Sequence, residues 1–169
     1  MPFVAVGSIR SLAEAASVST ADTPRSPSVF GPCQVSMTRY GRPGEPLPDA
    51  DRQWVGRARR IVRARLRHWR AEGVVERAEL VVSELVTNAF VHGRGARVGL
   101  RLSRAGAVVR VEVGDGTVVT LPGERPRSAY AESGRGLDLV AACADAWGLT
   151  TDQTGVWCEL HVPHDGADR

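Results

Sequence analysis

The chain has 169 residues, 43% of them hydrophobic and 24% charged, with a formal net charge of +3; that is enough for one domain with a full core and too little for two substantial ones. No apolar run approaches the roughly 20 residues that a membrane-spanning helix requires, and the stretch Met1 to Ile9 has no basic residue ahead of it, so the sequence predicts a soluble, cytoplasmic protein without a signal peptide or membrane partner. All 22 basic residues are arginine, and the lack of lysine excludes a P-loop or a protein-kinase site, both of which set a lysine against the phosphates.

Residues 1–30 hold Ser, Thr, Ala and Pro with no sustained period and read as a disordered tail, which leaves a domain over 31–164 and a short C-terminal tail at 165–169. Gln34 to Tyr40 suits a first strand, and the prolines and glycines of Gly41 to Pro48 forbid regular structure there. Asp49 or Asp51 is expected to cap the helix that follows. That helix, to about Ala71, sets Trp54, Ala58, Ile61, Val62, Leu66 and Trp69 on one face and Arg59, Arg60, Arg63, Arg67 and Arg70 on the other. The basic face reads as a solvated surface, with a partner-binding or nucleic-acid surface as the alternative; no aromatic residues interleave the arginines as a single-strand platform requires, and the basic helix alone does not support nucleic acid as a partner. Gly73 should end this helix, and a second runs from about Val75 to His92.

Gly93-Arg94-Gly95 marks a change of hydrophobic period from 3.6 to 2. Val98 to Leu102 and Val108 to Val113 alternate as two strands of a hairpin turning at Arg104-Ala105-Gly106. Gly116 to Ser133 has no period and contains Pro122, Gly123 and Pro126; a loop of that length in a compact domain suggests an active-site lid. A third helix from about Gly136 to Ala146 precedes two strands, Trp147 to Thr151 and Val156 to Val162, about a turn at Asp152-Gln153-Thr154-Gly155. The expected fold is an α+β two-layer sandwich, a mixed, mostly antiparallel sheet covered on one face by three helices. Cys33, Cys143 and Cys158 are odd in number and unpatterned, and are read as small buried hydrophobes rather than disulfide or zinc ligands.

Asn88 is the only asparagine in the chain. It follows Glu84 by four residues, slightly more than a helical turn, so Glu84, Asn88 and His92 stack along one stripe beside the apolar face of Val81, Val82, Leu85, Val86 and Ala89. Metal-assisted phosphoryl transfer needs such a pair: an oxygen ligand for a hard cation, and a carboxylate to orient or deprotonate the attacking hydroxyl. Asp115, just past a strand end, suits an acceptor for the exocyclic amine that distinguishes adenine from guanine. Gly134-Arg135-Gly136 opens the third helix, whose free N–H groups and dipole favour phosphate. His92 is read as a cap on the C-terminus of its own helix in preference to a nucleotide ligand, and Arg135 as either a phosphate contact or a solvated side chain.

Taken together, these segments resemble the GHKL superfamily of Bergerat-fold ATPases, and within it the anti-sigma factor serine/threonine kinases of the RsbW and SpoIIAB type. Glu84-Leu85-Val86-Thr87-Asn88-Ala89 looks like the N-box, Asp115-Gly116-Thr117 like the adenine-binding box, and Gly134-Arg135-Gly136-Leu137 like the lid glycine box, a resemblance that covers about residues 33–162. It implies ATP and Mg²⁺ as cofactors, Glu84 as catalytic base, Asn88 as Mg²⁺ ligand, Asp115 on the adenine amine, and Gly134 and Gly136 at the phosphates. It also implies a sigma factor or an anti-anti-sigma antagonist as partner, a homodimer, and phosphate transfer to a partner serine. The chain departs from the pattern at Thr117, where glycine is favoured, and at Thr154-Gly155, where relatives often carry Lys-Thr. The competing readings are a non-catalytic ATP-binding partner-switching module and a histidine-kinase-like catalytic domain. For the latter, no two-helix segment bearing a phosphoacceptor histidine is apparent, and His68 lies in a helix without one.

Overall fold

The computed structural model describes residues 29–119 and 135–163. The expected tail over 1–28, most of the expected lid with Gly134, and the residues after 163 lie outside this description. In chain order the elements are β1 (Val29–Thr38), α1 (Asp49–His68), a 3-10 turn (Glu72–Val74), α2 (Val75–His92), β2 (Arg97–Ala105), β3 (Val108–Gly114), α3 (Arg135–Cys143), β4 (Ala146–Leu149) and β5 (Gly155–His161). The strands make one sheet in the order β1-β2-β3-β5-β4. Every pairing in it is antiparallel, so the mixed component expected from sequence has no counterpart among the described residues.

Alternation along the strands decides which face the helices cover. Val98, Leu100 and Leu102 of β2, Val109, Val111 and Val113 of β3, and Cys158 and Leu160 of β5 are buried, while Arg97, Gly99 and Arg101 between them on β2 are exposed. Ala58, Val62 and Leu66 of α1 and Val81, Val82, Leu85 and Val86 of α2 pack onto this apolar face, each at the helical period. Burial of each Val or Leu is worth about 1.5–3 kcal/mol, so the match of the two periods at this layer is what makes the α+β two-layer sandwich. No described helix is long and apolar enough to cross a membrane.

Among the local expectations that change are the start of β1, the end of α1 and the cap of α1. The edge strand β1 starts at Val29 rather than Gln34 and takes in Phe30 from the expected tail; Pro32, which has no N–H to pair, falls where the register with β2 shifts, between Phe30 and Cys33. Helix α1 stops at His68 and not at Gly73, because Arg70 takes the left-handed conformation (φ 53) and the Ala71 N–H closes back on the Leu66 carbonyl at 2.8 Å. Neither aspartate caps α1. The N-cap position is Pro48, without a side-chain bond. Asp51, fully buried, accepts the N–H groups of Tyr40 at 3.0 Å and Gly41 at 2.9 Å and so pins the chain leaving β1, while Asp49 pairs with exposed Arg52. A buried carboxylate must find donors, and the loop beside it supplies them. All three cysteines are free; Cys33 and Cys143 are half-buried, and burial pushes the Cys158 thiol up to about 12.

Candidate functional site

Helix α2 places Glu84 and Asn88 one turn apart at the border of the core formed by Leu85 and Val86. The opening turn of α3 comes down on this pair: a Cβ added at Gly136 would lie 2.8 Å from Glu84 Oε2 and 2.8 Å from Asn88 Nδ2. The two side-chain ends therefore converge on the space that a side chain at position 136 would enter. Neither the Glu84 nor the Asn88 side chain has a hydrogen bond or ion pair to the rest of the chain among the described residues. They do no structural work, so both polar heads remain available to a ligand beside a helix end whose first N–H groups have no helical partner. Arg135 heads α3, with its side chain outside the described residues. Leu137 turns into the apolar core, so its contribution is to seat α3.

Asp115 is in the opposite condition. Its side chain is 5% exposed. Oδ2 accepts the Gly95 N–H at 2.7 Å and the Arg39 guanidinium at 3.2 Å, and Oδ1 accepts both the Thr117 N–H at 3.0 Å and the Thr117 hydroxyl at 2.7 Å. Gly116, with φ 77, lets Thr117 fold back onto the carboxylate. Burial works to raise the pKa of Asp115, but the bonds from Gly95 and Thr117 outweigh it and hold the carboxyl below its usual range. A Cβ at Gly93 would strike Asp115 Oδ2, and one at Gly95 would strike the Asp115 carbonyl. The close passage of Asp115 against the α2–β2 connection therefore explains Gly93 and Gly95, which sequence reasoning had taken only as punctuation.

His92 does not cap α2. It is exposed, and the carbonyls at the helix end go instead to Arg39, whose guanidinium donates to Ala89 at 2.7 Å, to Phe90 at 3.2 Å and to Gly93. The planar fork of five donors reaches several carbonyls at once from the neighbouring strand end, as an imidazole on the outer side of its own helix cannot. Arg39 is a functional candidate that sequence reasoning missed. It lies 50 residues from Ala89 and 76 from Asp115, and no local pattern signals such a contact.

The β4–β5 turn lies against the segment that follows Asp115. Val119 N–H donates to the Gln153 carbonyl at 2.8 Å. Within the turn Thr154 gives its N–H at 3.1 Å and its hydroxyl at 2.8 Å to Asp152, so that hydroxyl is held in the turn. A groove of about 620 Å³ on the sheet's open face, bordered by Arg101, Arg110, Glu112 and Thr154, includes neither Glu84 nor Asn88 and is separate from the convergence point.

The donors fit a hard divalent ion. Glu84 and Asn88 offer carboxylate and carboxamide oxygens at one point, and no group of three or more His, Cys, Asp and Glu residues suited to a metal occurs among the described residues. An ion such as Mg²⁺ would then draw its other ligands from phosphate and water, as it commonly does.

The family of histidine kinase-like ATPase domains matches this chain over residues 48–160. A comparison with the curated proteins found no match. The matched segment runs from the start of α1 to near the end of β5 and contains Glu84, Asn88, Asp115 and Gly136 of the first turn of α3. It spans well over half of the 169 residues, and with the sandwich and convergence described above it identifies the chain as a member of the histidine kinase-like ATPase domain family, an ATP-binding domain of the GHKL superfamily.

Proposed function

We propose that this protein is a Mg²⁺-ATP-dependent serine/threonine protein kinase of the anti-sigma factor type, which moves the γ-phosphate of ATP to a serine of a partner protein in the cytoplasm. The observation that carries the reading is the convergence of two unengaged side chains, Glu84 and Asn88, on Gly136. In this reading Glu84 takes the proton of the serine hydroxyl as its oxygen bonds to the γ-phosphorus, and the bond from that phosphorus to the bridging oxygen of ADP breaks. Asn88 would hold Mg²⁺, which would supply charge neutralisation at the phosphates. The N–H groups opening α3 meet the phosphates, and Asp115 accepts from the adenine amine.

The partner class, a sigma factor or its antagonist, and the homodimeric state rest on the resemblance of the three boxes to the anti-sigma factor kinases. The test is transfer of radiolabel from the γ-position of ATP to a partner that co-purifies from the native cell and is identified by mass spectrometry. Acid-stable label on a serine supports the kinase. ATP-dependent partner binding without label replaces it with a non-catalytic switching module, and acid-labile label on a histidine replaces it with a histidine-kinase-like domain.

A further inference from the structure

Arg39 joins two parts of the site that belong to different segments of the chain. One guanidinium donates to three carbonyls at the end of α2, those of Ala89, Phe90 and Gly93, and to Oδ2 of Asp115 beyond β3. Arg39 and Asp115 are each 5% exposed at the side chain, so the pair is shielded from water and unlike the exposed pairs elsewhere, such as Arg52 with Asp49. The backbone around it is shaped to the same contact: a Cβ at Gly93 would lie 2.7 Å from Arg39 Nη2 and would also strike Asp115 Oδ2. The guanidinium even leaves its own buried Nε without a hydrogen-bond partner in order to present both terminal nitrogens. A helix cap alone needs only the carbonyls, so the reach to Asp115 calls for a second role.

We propose that Arg39 is a positioning residue for adenine recognition, locking the Asp115 carboxylate to the end of the helix that carries Glu84 and Asn88, so that base recognition and phosphate chemistry share one frame. The inference rests on the assignment of Asp115 to the adenine amine. Oδ2 is held by Arg39 and Gly95 and Oδ1 by the N–H and hydroxyl of Thr117, and the hydroxyl is the one of these donors that can rotate away, so a base would reach Oδ1. Without Arg39 the carboxylate is free to turn, and its offset from Asn88 is no longer set.

The test compares full-length wild type, Arg39→Lys, Arg39→Gln and Asp115→Asn by calorimetric titration with Mg²⁺-ATP and by thermal unfolding. Lysine keeps a positive charge beside Asp115 but cannot span three carbonyls; glutamine keeps a donor and loses the charge. The expected result is that both Arg39 variants unfold at lower temperature, while affinity falls about tenfold or more in Arg39→Gln and stays within about threefold in Arg39→Lys. Wild-type affinity in Arg39→Gln, or losses in both variants that simply follow their lost stability, would overturn the positioning role. Should Arg39→Gln fail to fold, Arg39→Met, which keeps the stem without charge or donors, takes its place under the same criterion, a tenfold loss of affinity counting for the proposal and wild-type affinity against it. Asp115→Asn separates the two levels of the argument. If it weakens ATP binding while Arg39→Gln does not, only the role of Arg39 fails; if it binds as wild type, the adenine assignment fails with it.

Discussion

The Thr117 hydroxyl sits 2.7 Å from Asp115 Oδ1 and donates to the one oxygen of that carboxylate that Arg39 and Gly95 leave unclaimed. An adenine amine that binds Asp115 must share this oxygen with Thr117 or displace its hydroxyl. Calorimetry should therefore show ATP binding and no comparable GTP binding, because guanine turns a carbonyl oxygen toward the carboxylate. Asp115→Asn should weaken ATP about tenfold or more, since its amide would face donors at Gly95 or Thr117. Thr117→Val, which frees an acceptor site, should bind ATP at least as tightly as wild type. A loss in Thr117→Val equal to that of Asp115→Asn would mean that the hydroxyl itself holds the nucleotide.

Glu84 and Asn88 differ in what their removal should do. Glu84→Gln keeps size and reach but removes basicity, so ATP affinity should hold while phosphate transfer falls by about 100-fold or more. On the proposed reading Asn88→Ala would take away an oxygen donor for Mg²⁺, and both binding and transfer should drop. Since neither side chain bonds to the described protein, thermal unfolding should barely register either change. Transfer by Glu84→Gln at the wild-type rate would remove Glu84 as the base.

Gly136→Ala adds one methyl group at the convergence point. The atoms it would meet, at 2.8 Å, are the ends of the Glu84 and Asn88 side chains and not backbone. These ends can move aside, so the fold should tolerate the change with a loss below about 1 kcal/mol, while displacement of both groups should lower phosphate transfer about tenfold or more. Denaturant unfolding and the radiolabel assay measure the two effects separately. A variant as active as wild type would show that the convergence is not the productive arrangement.

Asp115 should also leave a signature in the pH dependence of stability. Its carboxyl is held below the usual range, with the cost of burial outweighed by bonds from Gly95 and Thr117. A group whose pKa is lower folded than unfolded contributes stability that is complete above the unfolded value, about 3.9 for aspartate, and is lost as pH falls through the folded one. Acid unfolding of wild type should accordingly steepen below about pH 4, and Asp115→Asn should flatten that limb. Identical acid limbs for the two proteins would count against a depressed Asp115.

Sequence alone determined the parts of this protein that depend on short-range repetition. The period of 3.6 placed α2 from Val75 to His92 with Glu84 and Asn88 one turn apart, and alternation placed the β2–β3 hairpin, because each signal is carried by residues a few positions from one another. The three boxes then pointed to the family that matches residues 48–160. Tertiary structure decided what each polar group does. Asp51 ties down a loop instead of capping a helix, the end of α2 is capped by Arg39 instead of His92, and Asp115 is enclosed by donors from three places in the chain. A buried donor or acceptor bonds to whatever lies within about 3 Å of it in space, and for Arg39 and Asp115, 76 residues apart, only the folding of β1, α2 and β3 against one another brings that neighbour within reach.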